Sequence, residues 1–141
     1  MSALDDAFAV LDGEGDVVGA RDEALVAAAE AALGLRFPPS YRQFLRRYGA
    51  GGIGAFEVYG VVEEPFEGPV PDGVWMTLDA RPALPATAVV LGDDGMGGLY
   101  VLDTAHGDDP PVEVRSGDES ELVAPSFADW LLDGVQAELE A

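Results

Sequence analysis

The sequence contains few side chains whose type and spacing suit catalysis, and the clearest is a histidine. His106 is the only histidine and lies in the segment AHGDDPP, shortly before Asp108 and Asp109. A histidine beside a carboxylate can act as a general base. However, no serine lies in a nucleophile-elbow setting, and the chain has no cysteine to activate. Because histidines in acidic surface loops commonly have no catalytic role, we predict that the protein is not an enzyme, with a reaction at His106 as the minor alternative.

Two groups of acidic residues have spacings that could suit a hard cation. The ligand spacing of a calcium-binding loop is matched by Asp12, Glu14, Asp16 and Glu23. The loop position that requires glycine is Val17, so a solvated acidic loop is the favoured interpretation. The second group consists of Asp93, Asp94 and Asp103. Aspartates in glycine-rich turns usually accept hydrogen bonds from the backbone, so we predict no metal site.

A glycine pattern near the middle of the chain resembles a nucleotide-binding loop. Gly49, Gly51 and Gly54 satisfy G-x-G-x-x-G. A dinucleotide site needs this pattern after a strand and before a helix, whereas here it follows a predicted helix and precedes a predicted strand. The chain also has no lysine, which excludes a Walker-type phosphate loop. We therefore predict that no cofactor is bound.

The charge of the chain is its most informative global property. It has 27 acidic and seven basic residues, for a net charge of −20. Such a polyanion is repelled by nucleic acid and by anionic membranes, and we expect neither as a partner. The excess of acid favours a basic protein partner, although solubility or a compositional habit of the genome would also produce it. No apolar run is long enough to span a bilayer and the acidic start is unlike a signal peptide, so we expect a cytoplasmic protein.

A predicted helix at the centre of the chain is the element around which the others must pack. Pro39 suits a first helical turn, and an apolar stripe at i, i+3, i+4 and i+7 is formed by Tyr41, Phe44, Leu45 and Tyr48. Arginines occupy the rest of the helix surface, and Gly49 predicts a left-handed end. This stripe must be buried, so the helix is predicted to belong to the core.

The other predicted elements complete an α+β fold in a single domain of residues 1–141. One helix is predicted over residues 22–33, and another begins at Ser126 with Asp129 as its capping partner. A third, loosely packed helix is predicted over residues 1–12, and a loop at residues 12–16 follows it. Strands are predicted over residues 55–62, 88–91, 99–102 and 112–115, with an antiparallel hairpin through GDDGMGG. Residues 74–78 fit either a strand or a helical turn. We expect a mixed or antiparallel sheet of about five or six strands with helices around it.

Acidic residues beside aromatic ones predict where a partner binds, because this combination provides anchors and charge complementarity. The strand and the proline-rich loop that follows it contribute Glu57, Tyr59, Glu63, Glu64, Phe66, Glu67 and Asp72. The hairpin contributes Asp93, Asp94 and Met96. We predict that these two segments form one acidic face. The alternative is that Tyr59 and Phe66 only cover the core.

Several of these segments together resemble the SUKH superfamily. The opening part of the resemblance is carried by Leu33, Gly34, Phe37, Pro38, Tyr41, Phe44, Leu45, Gly51, Gly52, Tyr59 and Gly60. Residues 92–104, GDDGMGGLYVLDT, and 124–131, APSFADWL, continue it in the same order. Phe37 stands where leucine is more usual before the proline, which affects packing more than family membership.

The resemblance implies a binding module with a SUKH-like fold. The superfamily includes bacterial immunity proteins of polymorphic toxin systems and fungal regulators of cell-wall assembly. It implies an immunity protein that neutralises a cognate toxin, and the acidity fits a basic toxin such as a nuclease. The alternative that it implies is a regulatory scaffold that binds a host protein.

Overall fold

The computed structural model describes residues 2–68 and 71–141, and these residues have the expected α+β architecture. Their helices are α1 (Ala3–Glu14), α2 (Glu23–Leu33), α3 (Pro39–Tyr48), α4 (Gly73–Ala80) and α5 (Phe127–Leu139). One antiparallel sheet contains β1 (Asp16–Val17), β2 (Gly51–Ile53) and β3 (Phe56–Val58) in that order. A second contains β4 (Ala88–Asp93), β5 (Leu99–Asp103), β6 (Val112–Ser116) and β7 (Glu119–Ala124) in that order. The strands of the described residues therefore number seven and form two sheets.

The helix α3 occupies the centre of the core, as predicted. Its stripe of Tyr41, Phe44, Leu45 and Tyr48 is buried. The Tyr41 hydroxyl donates a hydrogen bond of 2.8 Å to the carbonyl oxygen of Tyr59, which connects the helix to the segment after β3. Gly49 ends the helix with a φ of 74°, and a Cβ there would lie 2.6 Å from the carbonyl oxygen of Gly19. Only glycine fits this helix end.

The N-terminal helix α1 is packed more tightly than the sequence predicts. Its buried side chains are Leu4, Ala7, Phe8 and Leu11. The Phe8 ring lies edge-on to Tyr48, with 5.1 Å between ring centroids, and the Tyr48 hydroxyl donates to the Phe8 carbonyl oxygen. The helix extends to Glu14 and strand β1 follows it, so the predicted loop at residues 12–16 is wrong. Burial of an apolar face drives this longer helix.

A short glycine-rich strand, β2, precedes the strand predicted over residues 55–62. In β2, Gly52 pairs with Asp16 of β1 and with Glu57 of β3, and a Cβ on Gly52 would lie 2.0 Å from the Phe56 carbonyl oxygen. The absence of a side chain thus permits close approach of the backbones. Strand β3 covers only the start of the predicted 55–62, because the amide of Tyr59 already donates to the Leu91 carbonyl oxygen of β4.

The second sheet confirms the predicted hairpin and adds one strand. Strands β4 and β5 pair in an antiparallel register, with Val90 opposite Val101. Strand β6 follows as predicted, whereas β7 is not among the predicted strands because ESELVA lacks a buried apolar alternation. Residues 74–78, which fit either type of element, belong to α4. The α5 cap is confirmed, since the Ser126 hydroxyl oxygen accepts from the Asp129 amide at 3.1 Å.

Both faces of the β4–β5 hairpin are covered. On one face, Leu91 and Leu102 belong to the main core together with α3 and α5. On the other face, Val90 and Val101 pack with Met76 of α4. None of the helices in residues 2–68 and 71–141 is long and apolar enough to cross a membrane.

The Tyr41 hydroxyl gives a direct test of the packing around α3. We expect Tyr41→Phe to lower the free energy of unfolding by about 1–3 kcal/mol, because the buried Tyr59 carbonyl loses its donor. Tyr100→Phe is the matched control and should change stability by less than about 0.5 kcal/mol. Chemical denaturation of both variants measures the difference. Equal losses would contradict a specific role for the Tyr41 hydroxyl.

The tyrosines also predict how stability depends on alkaline pH. Burial is the main cause that raises the pKa of Tyr41, Tyr48, Tyr59 and Tyr100. Because the folded pKa values lie above the unfolded value of about 10, their contribution to stability is complete below that pH and is lost as the pH rises beyond it. We expect phenolate absorbance to appear together with unfolding. Tyrosines that ionise in the folded protein near their ordinary pKa would contradict this expectation.

Candidate partner-binding face

The three arginines of α3 are paired with acidic residues of α1 and α2. Arg42 donates from Nε and Nη2 to the two carboxylate oxygens of Glu30, at 3.2 and 2.9 Å. Arg42 and Arg46 each donate to Glu23 at 2.9 Å, and Arg47 pairs with Asp12 at 2.5 Å. The hydrogen bond from Arg42 is the largest cause that lowers the pKa of Glu23, although burial opposes it. Positive charge therefore lies beside part of the acid on this side of the molecule.

Two further arginines are held by backbone carbonyl groups near the same helices. Arg21 donates from Nε to the Val61 carbonyl oxygen at 3.2 Å, and Arg81 donates to the Leu33 carbonyl oxygen at 2.7 Å. On β6, Arg115 contacts Glu113 at 3.3 Å. Neighbouring residues of a strand point to opposite faces, so Arg115 and Glu113 lie on the sheet face opposite to Val114.

On the Val114 face, a groove with an aromatic floor lies between β3, the β4–β5 hairpin and α5. Its volume is about 220 Å³. The floor consists of Phe56, Tyr100 and Trp130, and the centroid of the Trp130 ring lies 5.0 Å from that of Phe56 and 5.3 Å from that of Tyr100. Gly134 makes room for this arrangement, because a Cβ there would lie 2.2 Å from the Phe56 ring. We call it the hairpin groove.

Four carboxylates border the hairpin groove. They belong to Glu57, Asp93, Asp94 and Glu138. Asp93 accepts from the Gly95 amide, Asp94 from the amides of Met96 and Gly98, and Glu138 from the Ala55 amide. These bonds fix three of the four, whereas Glu57 is exposed. Burial raises the pKa of Tyr100, and the charges of Asp94 and Asp93 raise it further, so these carboxylates act on the groove floor.

A second depression continues the same surface across the sheet. Its volume is about 540 Å³, and Asp94 borders it as well as the hairpin groove. The remaining lining residues are Val114, Ser116, Glu119, Ser120 and Glu121. We call this the edge depression. The acidic face is then defined by Glu57, Asp93, Asp94, Glu119 and Glu121, and no arginine lines either hollow within the described residues.

The structure brings together only part of the predicted face. Glu57, Asp93 and Asp94 meet at the hairpin groove. Exposed positions on the loop after β3 are occupied by Glu63, Glu64 and Glu67, which do not line either hollow in the part of the chain that the structure describes. Phe66 is half-buried against the main core.

Two predicted contact residues are not accessible to a partner. Tyr59 is only 5% exposed and packs with Val90 and Val101. Asp72 is 2% exposed, and its carboxylate accepts from the amides of Val74 and Trp75 at the start of α4. Their assignment to the binding surface is corrected: Tyr59 covers the core and Asp72 caps a helix.

Other residues of the hairpin groove and the acidic face come from segments for which the sequence predicts only a structural role. Trp130, Gly134 and Glu138 lie four residues apart on α5 and so share one helix face. The glycine inside this helix is a signal that another element approaches closely. The contribution of Glu119 and Glu121 has no comparable signal, because it depends on the pairing of β7 with β6.

The residues considered for catalysis and metal binding have other contacts. His106 Nε2 lies 3.8 Å from Asp103 Oδ2, and not beside the predicted Asp108 or Asp109. Burial raises the pKa of Asp103, but hydrogen bonds from the Thr87 hydroxyl and the Ala105 amide outweigh it and lower the pKa overall. Among residues 2–68 and 71–141, no three His, Asp or Glu side chains are close enough to hold a metal ion.

Another cleft, of about 960 Å³, lies between α2, α3 and the loop after β5. Arg42, Glu23 and Glu30 line it, and these are the residues already paired with one another. The charges of these three side chains are therefore paired, whereas no arginine lines the acidic face within the described residues.

Comparison with models of known protein families gives a match that covers most of the chain. A family model named SUKH_5, with the description SMI1-KNR4 cell-wall, matches residues 5–136. The match includes β3, the β4–β5 hairpin and β7, which carry the acidic face. No curated protein matches the chain significantly.

Two glycine-to-alanine substitutions in helices should have opposite effects on the free energy of unfolding, because only Gly134 lies where α5 closely approaches β3. Gly134→Ala should lower the free energy of unfolding by about 1–3 kcal/mol, because the methyl group overlaps the Phe56 ring. Gly13→Ala in α1 is the control, with no atom within 4 Å of the added Cβ, and should raise it by about 0.5 kcal/mol. Thermal and chemical unfolding measure both. A stabilising Gly134→Ala would show that Phe56 does not pack there.

Proposed function

The chain belongs to the SUKH superfamily, and from this we propose that it is an immunity protein that binds and neutralises a basic bacterial toxin in the cytoplasm of the producing cell. The superfamily includes immunity proteins and cell-wall regulators, and its members generally bind protein partners without catalysing a reaction. The choice of a basic toxin is supported by one observation, which is the separation of charge over the surface.

This separation leaves acid without counter-charge where a partner could reach it. The arginines of α3 are occupied by Asp12, Glu23 and Glu30, whereas the acidic face has no arginine among the residues that line it. Uncompensated charge on one face attracts a partner of opposite sign and can accelerate association by 10–10³-fold. The aromatic floor of the hairpin groove adds apolar area, which charge alone does not supply.

Neutralisation would require no chemistry by this protein. A toxin that acts on nucleic acid needs a basic surface to hold its substrate, and a polyanionic protein can occupy that surface. The inhibition would then be steric and electrostatic. His106 takes no part in this mechanism.

The alternative is a regulatory scaffold that binds a host protein, in line with the cell-wall description of the matching family. The acidic face would serve that function equally well, so the identity of the partner decides between the two.

Affinity capture from the source cell, followed by expression of the captured protein, tests the proposal. We expect a basic protein that is toxic when expressed alone and harmless when it is co-expressed with this chain. A captured protein that is not toxic and belongs to cell-wall synthesis would favour the scaffold and contradict the immunity function.

Variants in which glutamine replaces glutamate test whether the acidic face binds the captured toxin. We expect Glu57→Gln/Glu119→Gln/Glu121→Gln to slow association by about tenfold at low salt, because electrostatic steering is reduced. Asp79→Asn/Asp108→Asn/Asp109→Asn changes the net charge equally at exposed positions outside the face and should slow it much less. The measurement is the association rate as a function of ionic strength. Equal slowing by both triples would contradict a localised face.

The carboxylates of the loop after β3 are tested by a separate variant in the same experiment. We propose that Glu63, Glu64 and Glu67 extend the attraction beyond the two hollows. Their triple substitution by glutamine should then reduce the association rate and its dependence on salt, with little effect on dissociation. An unchanged rate would restrict the binding surface to the acidic face.

A further inference from the structure

Strand β7 is an edge strand with unusual exposure. In residues 2–68 and 71–141 it pairs with β6 alone, at the end of the strand order β4–β5–β6–β7. Five of its six residues are exposed, and only Ala124 is buried. Leu122 is 66% exposed and Val123 is 41% exposed. An edge of this kind presents unpaired backbone N–H and C=O groups to solvent.

The side chains of β7 differ between its two faces. Glu119 pairs with Ser116 and Glu121 pairs with Val114, so both glutamates lie on the sheet face of the edge depression. Leu122 pairs with Glu113 and therefore lies on the opposite face. A pairing partner would consequently meet carboxylates on one face and an apolar side chain on the other.

Glu119 and Glu121 disfavour pairing of β7 with a second copy of this chain and favour pairing with a basic strand. If two copies of this chain paired through β7, four glutamates would be brought together across the new edge, and like charges on neighbouring strands are destabilising. The register shift of β7 opposite Val112 and Glu113 also makes the edge irregular, a feature that limits indiscriminate pairing. If the added strand instead has basic side chains at alternate positions, these pair with Glu119 and Glu121. Like charges then do not repel each other, and the glutamates are not left without a counter-charge.

We propose that β7 binds an extended basic segment of a protein partner by strand addition, with Lys or Arg side chains opposite Glu119 and Glu121 and apolar side chains near Leu122. Backbone hydrogen bonds then provide affinity and the alternate side chains provide specificity. The bound segment extends the sheet next to the edge depression, so it is continuous with the acidic face. The proposal requires a basic segment, but it does not require that the partner is a toxin.

The probe is a synthetic peptide of alternating Lys and Val residues, added to the full-length protein. We expect backbone amide signals of residues 119–124 to shift in NMR spectra and their hydrogen exchange to slow on binding. A peptide of the same composition with all Lys residues preceding all Val residues is the first control. The second is the alternating peptide methylated at alternate backbone nitrogens, which keeps its charge and loses ladder donors. Both should bind at least about tenfold more weakly.

Two protein variants separate this site from general attraction to a polyanion. Glu119→Gln/Glu121→Gln should weaken binding of the alternating peptide by about five- to tenfold, because two cross-strand charge pairs are lost. Asp108→Asn/Asp109→Asn has the same change in net charge and should alter it by less than about twofold. Both glutamates are exposed, so the folded state should persist, and the dispersion of the NMR spectrum verifies it.

Three outcomes would overturn the proposal. The first is equal binding of the methylated and unmethylated peptides, and the second is a set of peptide-induced shifts that omits residues 119–124. The third is a dimer of the free protein at neutral pH whose interface protects β7, since this would make a second copy the occupant. Sedimentation of the free protein tests for that dimer.

Discussion

A continuous series of aromatic contacts connects the buried face of α3 to the surface groove. The distance between ring centroids is 5.3 Å for Tyr41 and Phe127 and 6.0 Å for Phe127 and Trp130. Trp130 in turn contacts Phe56 and Tyr100 on the groove floor. Because these rings belong to the core, the groove is positioned by the packing that stabilises the whole fold. A binding surface built on helices and strands is held more precisely than one built on loops alone.

The distribution of arginine determines which carboxylates of this acidic protein have a counter-charge. The cations of α3 neutralise acids of α1 and α2, so this surface has mixed charge. At the hairpin, backbone amides satisfy part of the hydrogen-bonding capacity of Asp93 and Asp94 without neutralising them. Exposed, uncompensated carboxylates next to aromatic rings therefore coincide on one face. The acids are spread through the sequence, and folding brings those of the acidic face together with no arginine among the described residues that line the two hollows.

Much of the fold follows from local patterns in the sequence. The aromatic stripe of α3, its proline start and its glycine end predict that helix and its burial, and the GDDGMGG segment predicts the hairpin. The errors have physical causes. The short glycine strand β2 exists because its neighbours approach closely, and α1 is long because distant residues such as Tyr48 pack against it. Strand β7 depends on pairing with β6, which its own composition does not indicate.

The candidate site is less predictable, since it is assembled from four distant segments, which are β3, the β4–β5 hairpin, β7 and α5. Composition identifies Glu57, Asp93 and Asp94, but residue type alone does not separate an accessible Glu57 from a buried Asp72. Trp130 belongs to a predicted core stripe, and it is also part of the groove floor because Gly134 lets Phe56 pack beside it. The most direct measurement is a hydrogen-exchange footprint of the protein in complex with its captured partner. We expect slower exchange around Glu57, in the hairpin and along β7. Protection confined to α1, α2 and α3 would contradict the assignment of the acidic face as the binding surface.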